Sequence, residues 1–269
     1  MAAVHLPAVR PPHRACEPSH VRFEVSWSRS HRGGSTLRLA AGLVHLVSFF
    51  FRRADQSGDI YPVDASRGVV AGDSPERILV LGERGEINLG VVTNELSIAA
   101  FVAREHQRVT GRGSHWAIST LSRDSLADGP AAASRHAADL ARTDLVVVMA
   151  GISDCLRLVS AGTWETHLRA TLDALFRQLP RDARVVVAEI PPLENAGSLT
   201  RPARIAAGHR ASLVNRRTRV VAAEDPRVVV APFPADLTDR LWVPQSREER
   251  YTRTYSIWSR AVVAAVPLY

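Results

Sequence analysis

The chain reads as a three-layer α/β/α protein built on a five-stranded parallel sheet. Two observations point there. Five short apolar runs recur along the sequence, Arg77 to Leu81, His115 to Ser119, Asp144 to Ala150, Arg184 to Ile190 and Arg227 to Ala231. Each is continuous rather than alternating, the pattern of a strand buried on both faces. The segments between them carry helical periodicity, and β-α alternation of this kind implies right-handed crossovers with helices on both sides of the sheet. At 269 residues, 46% hydrophobic and 23% charged, the composition suits one large globular domain with an extension.

Residues 1–36 show Pro, His, Arg, Ser and Gly with no apolar period, as in Arg10-Pro11-Pro12-His13-Arg14, and read as a disordered basic leader. Residues 37–76 read as an apolar helix and linker. The apolar stretch Leu39 to Phe51, bounded by Arg38 and Arg52-Arg53, is shorter than the roughly 20 residues that a bilayer core needs. It reads as a buried helix, with contact of residues 39–53 with a membrane surface as the alternative. The main domain is then 77–269. Its first helix is expected to follow a cap at Asn94 and to stop at Gly111. A later one is expected from Thr163, with Trp164, Leu168, Leu172, Leu175, Phe176 and Leu179 on one face.

All 34 basic residues are Arg and none is Lys, a bias that a very GC-rich genome produces. The net charge of +7 is scattered, with much of it in the leader, so nucleic acid is not the expected partner. Cys16 and Cys155 lie far apart, one in the leader and one after a strand, so no disulfide is expected and a cytoplasmic location is permitted. No Cys/His spacing suggests a metal, and no cofactor is expected. Oligomeric state is not legible in the sequence.

The chemistry would lie beyond the carboxyl ends of the strands, where ligands bind in such sheets. There the first strand ends Gly82-Glu83-Arg84-Gly85, and the third ends Gly151-Ile152-Ser153-Asp154. These blocks resemble the SGNH (GDSL-type) hydrolase family, whose first strand ends in Gly-Asp-Ser with a nucleophilic Ser and whose third ends in Gly-x-Asn-Asp. The run Trp116 to Arg123 and the run Ser246 to Trp258 resemble two further blocks, and together the likeness spans about residues 60–266. It implies a flavodoxin-like outline and an esterase or acylhydrolase ancestry.

The catalytic positions that the resemblance assigns are changed. The nucleophile position is Arg84, the oxyanion-hole Gly is Arg123 and the Asn is Ser153. The catalytic Asp and His positions are Ser246 and Glu249, and only Asp154 is retained. No histidine follows His209, so the last 60 residues, where the family keeps its general base, contain none. A serine hydroxyl is a weak nucleophile without a base to take its proton. The expectation is therefore a catalytically inactive relative that binds a small anionic ligand or a partner protein. Arg84 and Glu249 could close the old pocket as a salt bridge, or Arg84 and Arg123 could hold an anion.

The alternative is an active esterase with a displaced serine. A literal Gly72-Asp73-Ser74 precedes the strand rather than ending it, unless Gly68 to Ala71 is itself a strand. Ser122 and Ser125 lie after the second strand, with His115 the nearest histidine in sequence; as turn and cap residues they need no catalytic role. Cys155 reads as a buried, inert thiol.

Overall fold

The computed structural model describes residues 61–238 and 250–267. The leader, the apolar stretch 39–53, Cys16, Ser246 and Glu249 all lie outside the described residues. The strands are β1 (Arg67–Val70), β2 (Asp73–Gly82), β3 (Arg112–Thr120), β4 (Leu145–Met149), β5 (Arg184–Ala188) and β6 (Val228–Ala231). They form one sheet in the order β1-β3-β2-β4-β5-β6. The five strands read from the sequence are all in it and all parallel.

The sheet has six strands rather than five, because β1 adds an antiparallel edge against β3, with Val69 opposite His115. The sequence offers Gly68 to Ala71 only as an alternative strand, because the run is short and shows no clear period; the strand is four residues long and none of them is fully buried. Gly68 is required there, since a Cβ would come within 2.5 Å of the Trp116 ring. Residues 67–70 and 73–76, read as linker, therefore belong to the sheet.

The helices are α1 (Arg84–Ile87), α2 (Ile98–Thr110), α3 (Gly129–Arg135), α4 (Ala137–Leu140), α5 (Ile152–Leu156), α6 (Ala161–Phe176), α7 (Arg201–Ala222), α8 (Ala235–Thr238) and α9 (Arg250–Ala265). Side-chain alternation along the strands divides the core between two helical layers. Leu79, Leu81, Val146, Val148, Val185 and Val187 pack beneath α3, α6 and α7. Ile78, Val80, Val147, Met149 and Val186 pack beneath α2 and α9.

The helix expected from Asn94 begins later. Ser97 is the cap, accepting from the Ala100 N–H, whereas Asn94 opens a 3-10 turn and is buried in hydrogen bonds to Asp64 and Asn88. A longer-range polar network takes the side chain that local spacing assigned to a cap. Gly111 ends α2 at φ +73°, as read from the sequence. Helix α6 starts two residues before Thr163, capped by Ser160, and buries Trp164, Leu168, Leu172 and Leu175.

At the amino end of the sheet, His106 of α2 is buried between Glu76 (2.9 Å) and Ser114 (3.4 Å), and Arg112 reaches the same carboxylate. These contacts tie α2 to β2 and β3 and hold the Glu76 carboxyl below its usual range, through His106 first.

Candidate functional site

The carboxyl ends of β2, β3 and β4 bring together most of the residues singled out in the sequence. Gly82 and Met149 are neighbours in the ladder, and the Glu83 N–H donates to the Met149 carbonyl at 2.9 Å. A Cβ at Gly82 would overlap that carbonyl oxygen, so only glycine lets the two strand ends approach so closely. Beyond β4 the chain turns at Gly151, φ +122°, directly under Trp164 and Ile190.

That turn aims three successive amides at two carboxyls from β2's end. Gly151 N–H donates to Glu83 Oε1 at 2.6 Å, and Ser153 N–H donates to the Glu83 carboxyl at 3.0 Å. Ile152 N–H donates to Glu86 Oε1 at 3.2 Å. Glu83 is 2% exposed and Glu86 6%. Burial pushes Glu83 up to about 7, against the pull of the Ser153 and Gly151 donors. Burial also pushes Glu86 well above its usual value, and the Glu83 charge adds to this. Glu86 has one backbone donor where Glu83 has two, so less opposes the rise that burial imposes on it.

Sequence reasoning missed both glutamates. Glu83 stands where the resembling family has the Asp of Gly-Asp-Ser, and that position was the available signal. Nothing local marks Glu86, which is buried because α1 is a single turn pressed against the 151–153 amides.

Arg84, at the nucleophile position, is exposed. Its guanidinium lies 4.2 Å from the centre of the Tyr61 ring. Its backbone N–H donates to Asp124 Oδ1 at 3.1 Å, so a carboxylate of the protein already covers the strand-end amide. Arg157 Nη1 donates to the Asp124 carbonyl.

Asp154 is buried and ties the loop after β3 to the loop after β4. Ser125 Oγ donates to it at 2.8 Å and the Leu126 N–H at 3.0 Å. Ser153 presents its amide to Glu83, and Ser122 presents its amide to Asp128. Cys155 is fully buried, and burial, then Asp154, Glu83 and Glu86, raise its thiol far above the range of a reactive cysteine.

Arg123, at the position that the resemblance gives to a Gly, adopts φ +57°, in the left-handed region. A non-glycine residue there carries about 1–2 kcal/mol of strain. Arg123→Gly is therefore expected to raise stability by up to about 1 kcal/mol, allowing for glycine's larger unfolded-state entropy. A higher denaturant midpoint at unchanged slope is the expected reading, and a lower midpoint would show that the arginine side chain is needed.

Two candidates are not brought to this place. Ser74 lies at the amino end of β2, where its carbonyl accepts from Arg112 Nε. Gly82 lies eight positions further along the strand, about 26 Å away. His115 faces Val69 and Arg77 in the amino half of β3, away from Ser122 and Ser125. Among the described residues no histidine hydrogen-bonds to Ser122, Ser125 or Ser153. None of their His, Cys, Asp and Glu side chains group in a way that could hold a metal ion. No helix among the described residues is long and apolar enough to cross a membrane.

At the last block, Tyr255 and Trp258 of α9 are buried. Tyr255 donates to the Leu89 carbonyl, and Trp258 stands edge-on to Phe233 at 5.2 Å. Tyr255 thus holds α9 to the loop that leaves the site, and Trp258 holds it to the segment after β6.

No protein-family model matches the chain, and no curated protein matches it. Solved structures do. The structure of TesA superposes with a TM-score of 0.54 at 16% identity, covering 71% of this chain and 97% of that one. The lipase Lip_vut3 from a goat rumen metagenome superposes with a TM-score of 0.54 at 12% identity, over the same shares of the two chains. At such identities the likeness is one of fold. With the strand order, the Gly82 and Gly151 turns and the buried Asp154 tie, it gives this chain the fold of an SGNH-type hydrolase.

Proposed function

We propose that this protein is an SGNH-type fold used for binding rather than hydrolysis, and that its ligand is a small anion held at the strand ends by Arg84, with Arg123 and Arg157 beside it. The observation that carries the reading is the state of the nucleophile position. An exposed guanidinium stands there, and the amide beneath it is occupied by Asp124. The Glu83 and Glu86 carboxyls behind it are turned inward onto the amides of residues 151–153, and burial favours their protonated forms, so they do not oppose an anion as two free charges would. Arg84 and Arg123 are exposed on the loops at these strand ends, with Arg157, which donates to the Asp124 carbonyl, nearby, and guanidinium suits carboxylate or phosphate bidentately.

The test has two arms. Purified protein should not turn over a chromogenic acetate ester above the uncatalysed rate, nor be labelled by a serine-reactive fluorophosphonate. Saturable turnover abolished by Ser74→Ala or Ser122→Ala would overturn the binding reading. In calorimetric titration with inorganic phosphate and with a small dicarboxylate, Arg84→Gln is expected to weaken binding by roughly tenfold or more, the scale of one charge-assisted contact. Binding indifferent to Arg84→Gln and Arg123→Gln together would place the ligand elsewhere.

A further inference from the structure

Helix α7 carries six arginines and a histidine in 22 residues and not one Asp or Glu. Ala203, Ala207, Ala211, Val214, Thr218 and Val221 are buried and fix its inner face. The opposite face is a single exposed stripe, Arg201, Ile205, His209, Ser212, Arg216 and Val220, at spacings of three and four residues. At 1.5 Å per residue the helix runs for about 33 Å.

The charge on this helix is largely uncompensated. Arg217 pairs with Glu165, and Arg219 with Glu189. Arg201, Arg204, Arg210 and Arg216 have no carboxylate partner among the described residues; Arg216 reaches only Ser212 Oγ, in its own stripe. Two aliphatic side chains stand among them, Ile205 at 63% exposure and Val220 at 51%.

We propose that this outer face of α7 docks on the surface of an anionic phospholipid bilayer. The charge complementarity is to phosphate, which guanidinium binds well. The aliphatic residues choose between phosphate-bearing partners. A bilayer boundary accepts Ile205 and Val220 alongside the arginines, as it does the apolar side chains of interfacial helices. A nucleic acid would meet no aromatic side chain for stacking and no Asn or Gln for base edges anywhere in the stripe. Asn215, the one amide on the helix, is spent on the N–H and carbonyl of Ile190. The inference does not depend on the anion reading of the strand-end site.

The experiment is co-sedimentation of the full-length chain with vesicles of phosphatidylcholine alone and of phosphatidylcholine with roughly a third phosphatidylglycerol, an anionic fraction high enough for a negative surface potential. The wild type is compared with Arg201→Gln/Arg204→Gln/Arg216→Gln and with Ile205→Ser/Val220→Ser. All five positions lie at the surface of the helix, and a circular dichroism melt confirms that each variant folds. Binding to the anionic vesicles only is expected, with a partition constant roughly a hundredfold lower in the arginine variant. The Ile205→Ser/Val220→Ser variant should lose several-fold. Unchanged partition in the arginine variant would overturn the proposal, since the arginines of the N-terminal segment would then carry any binding. Equal binding to neutral vesicles would overturn it too. So would full retention in Ile205→Ser/Val220→Ser together with displacement by duplex DNA, which would make the face a general polyanion surface.

Discussion

Raising the pH from 5 to 8 is expected to lower the stability of this protein, and Glu86→Gln to remove much of that loss. The cause is the pair of buried carboxyls at the end of β2. A carboxyl whose folded-state pKa is raised above its unfolded value contributes its full stability below the unfolded value, near 4.3, and loses it as pH rises through the folded one. For Glu83 that window closes at about 7. The shift corresponds to about 3 kcal/mol, and Glu86, raised as well, adds a loss of the same sign. Glu76 works in the opposite direction: its folded pKa is depressed, so its contribution fails only as pH falls below the ordinary carboxylate range, outside this window.

Glutamine at 86 keeps an oxygen for the Ile152 amide but cannot ionise, so Glu83 can take its charge without a charged neighbour. Urea denaturation at pH 5 and pH 8 reads the effect. Glu86→Gln should match the wild type within about 1 kcal/mol at pH 5 and exceed it by about 1–3 kcal/mol at pH 8. Glu83→Ala should be destabilised at both, because the buried amides of Gly151 and Ser153 lose their acceptor, at about 1–3 kcal/mol for each unsatisfied group. A wild type more stable at pH 8 than at pH 5, with no response to Glu86→Gln, would mean that the pair does not share its site as the geometry places it.

Gly82→Ala is expected to cost more than about 4 kcal/mol and to leave little folded protein, which places it among the rare severe substitutions. The added methyl would coincide with the Met149 carbonyl oxygen. That oxygen cannot retreat, because it belongs to a central strand and already accepts the Glu83 N–H. Relief would require separating β2 from β4 at the point where the site is assembled. Gly197→Ala is the control, since a Cβ there meets nothing within 4 Å and its φ is an ordinary one. The two variants compared by soluble yield and thermal melt separate a close-approach requirement from a general intolerance of lost glycine. A folded Gly82→Ala protein with a melt near that of the wild type would show that the strand ends can part cheaply.

The two glycines that frame the site were visible in the sequence because each ends an apolar run, and apolar runs are local. The same is true of the five parallel strands and the inner face of α6. These follow from the periodicity of burial, which neighbouring residues report without knowledge of the rest of the chain. The absence of histidine after His209, and arginine at the nucleophile and oxyanion positions, are likewise plain in the residues themselves. Tertiary structure alone decided what the polar side chains do. Asn94 capped nothing because Asp64, 30 residues away, engages it. Strand β1 was too short and too exposed to show a period, and exists because β3 offers it an edge. The serine of the literal Gly72-Asp73-Ser74 lies at the far end of β2, and Asp124 covers the amide of Arg84 from a different loop. Glu83 and Glu86 look like ordinary surface acids in sequence; they are buried because the turn after β4, 66–70 residues further on, points its amides at them. A hydrogen bond or a buried charge depends on partners that only the folded chain brings within about 3 Å, and no window of sequence contains them.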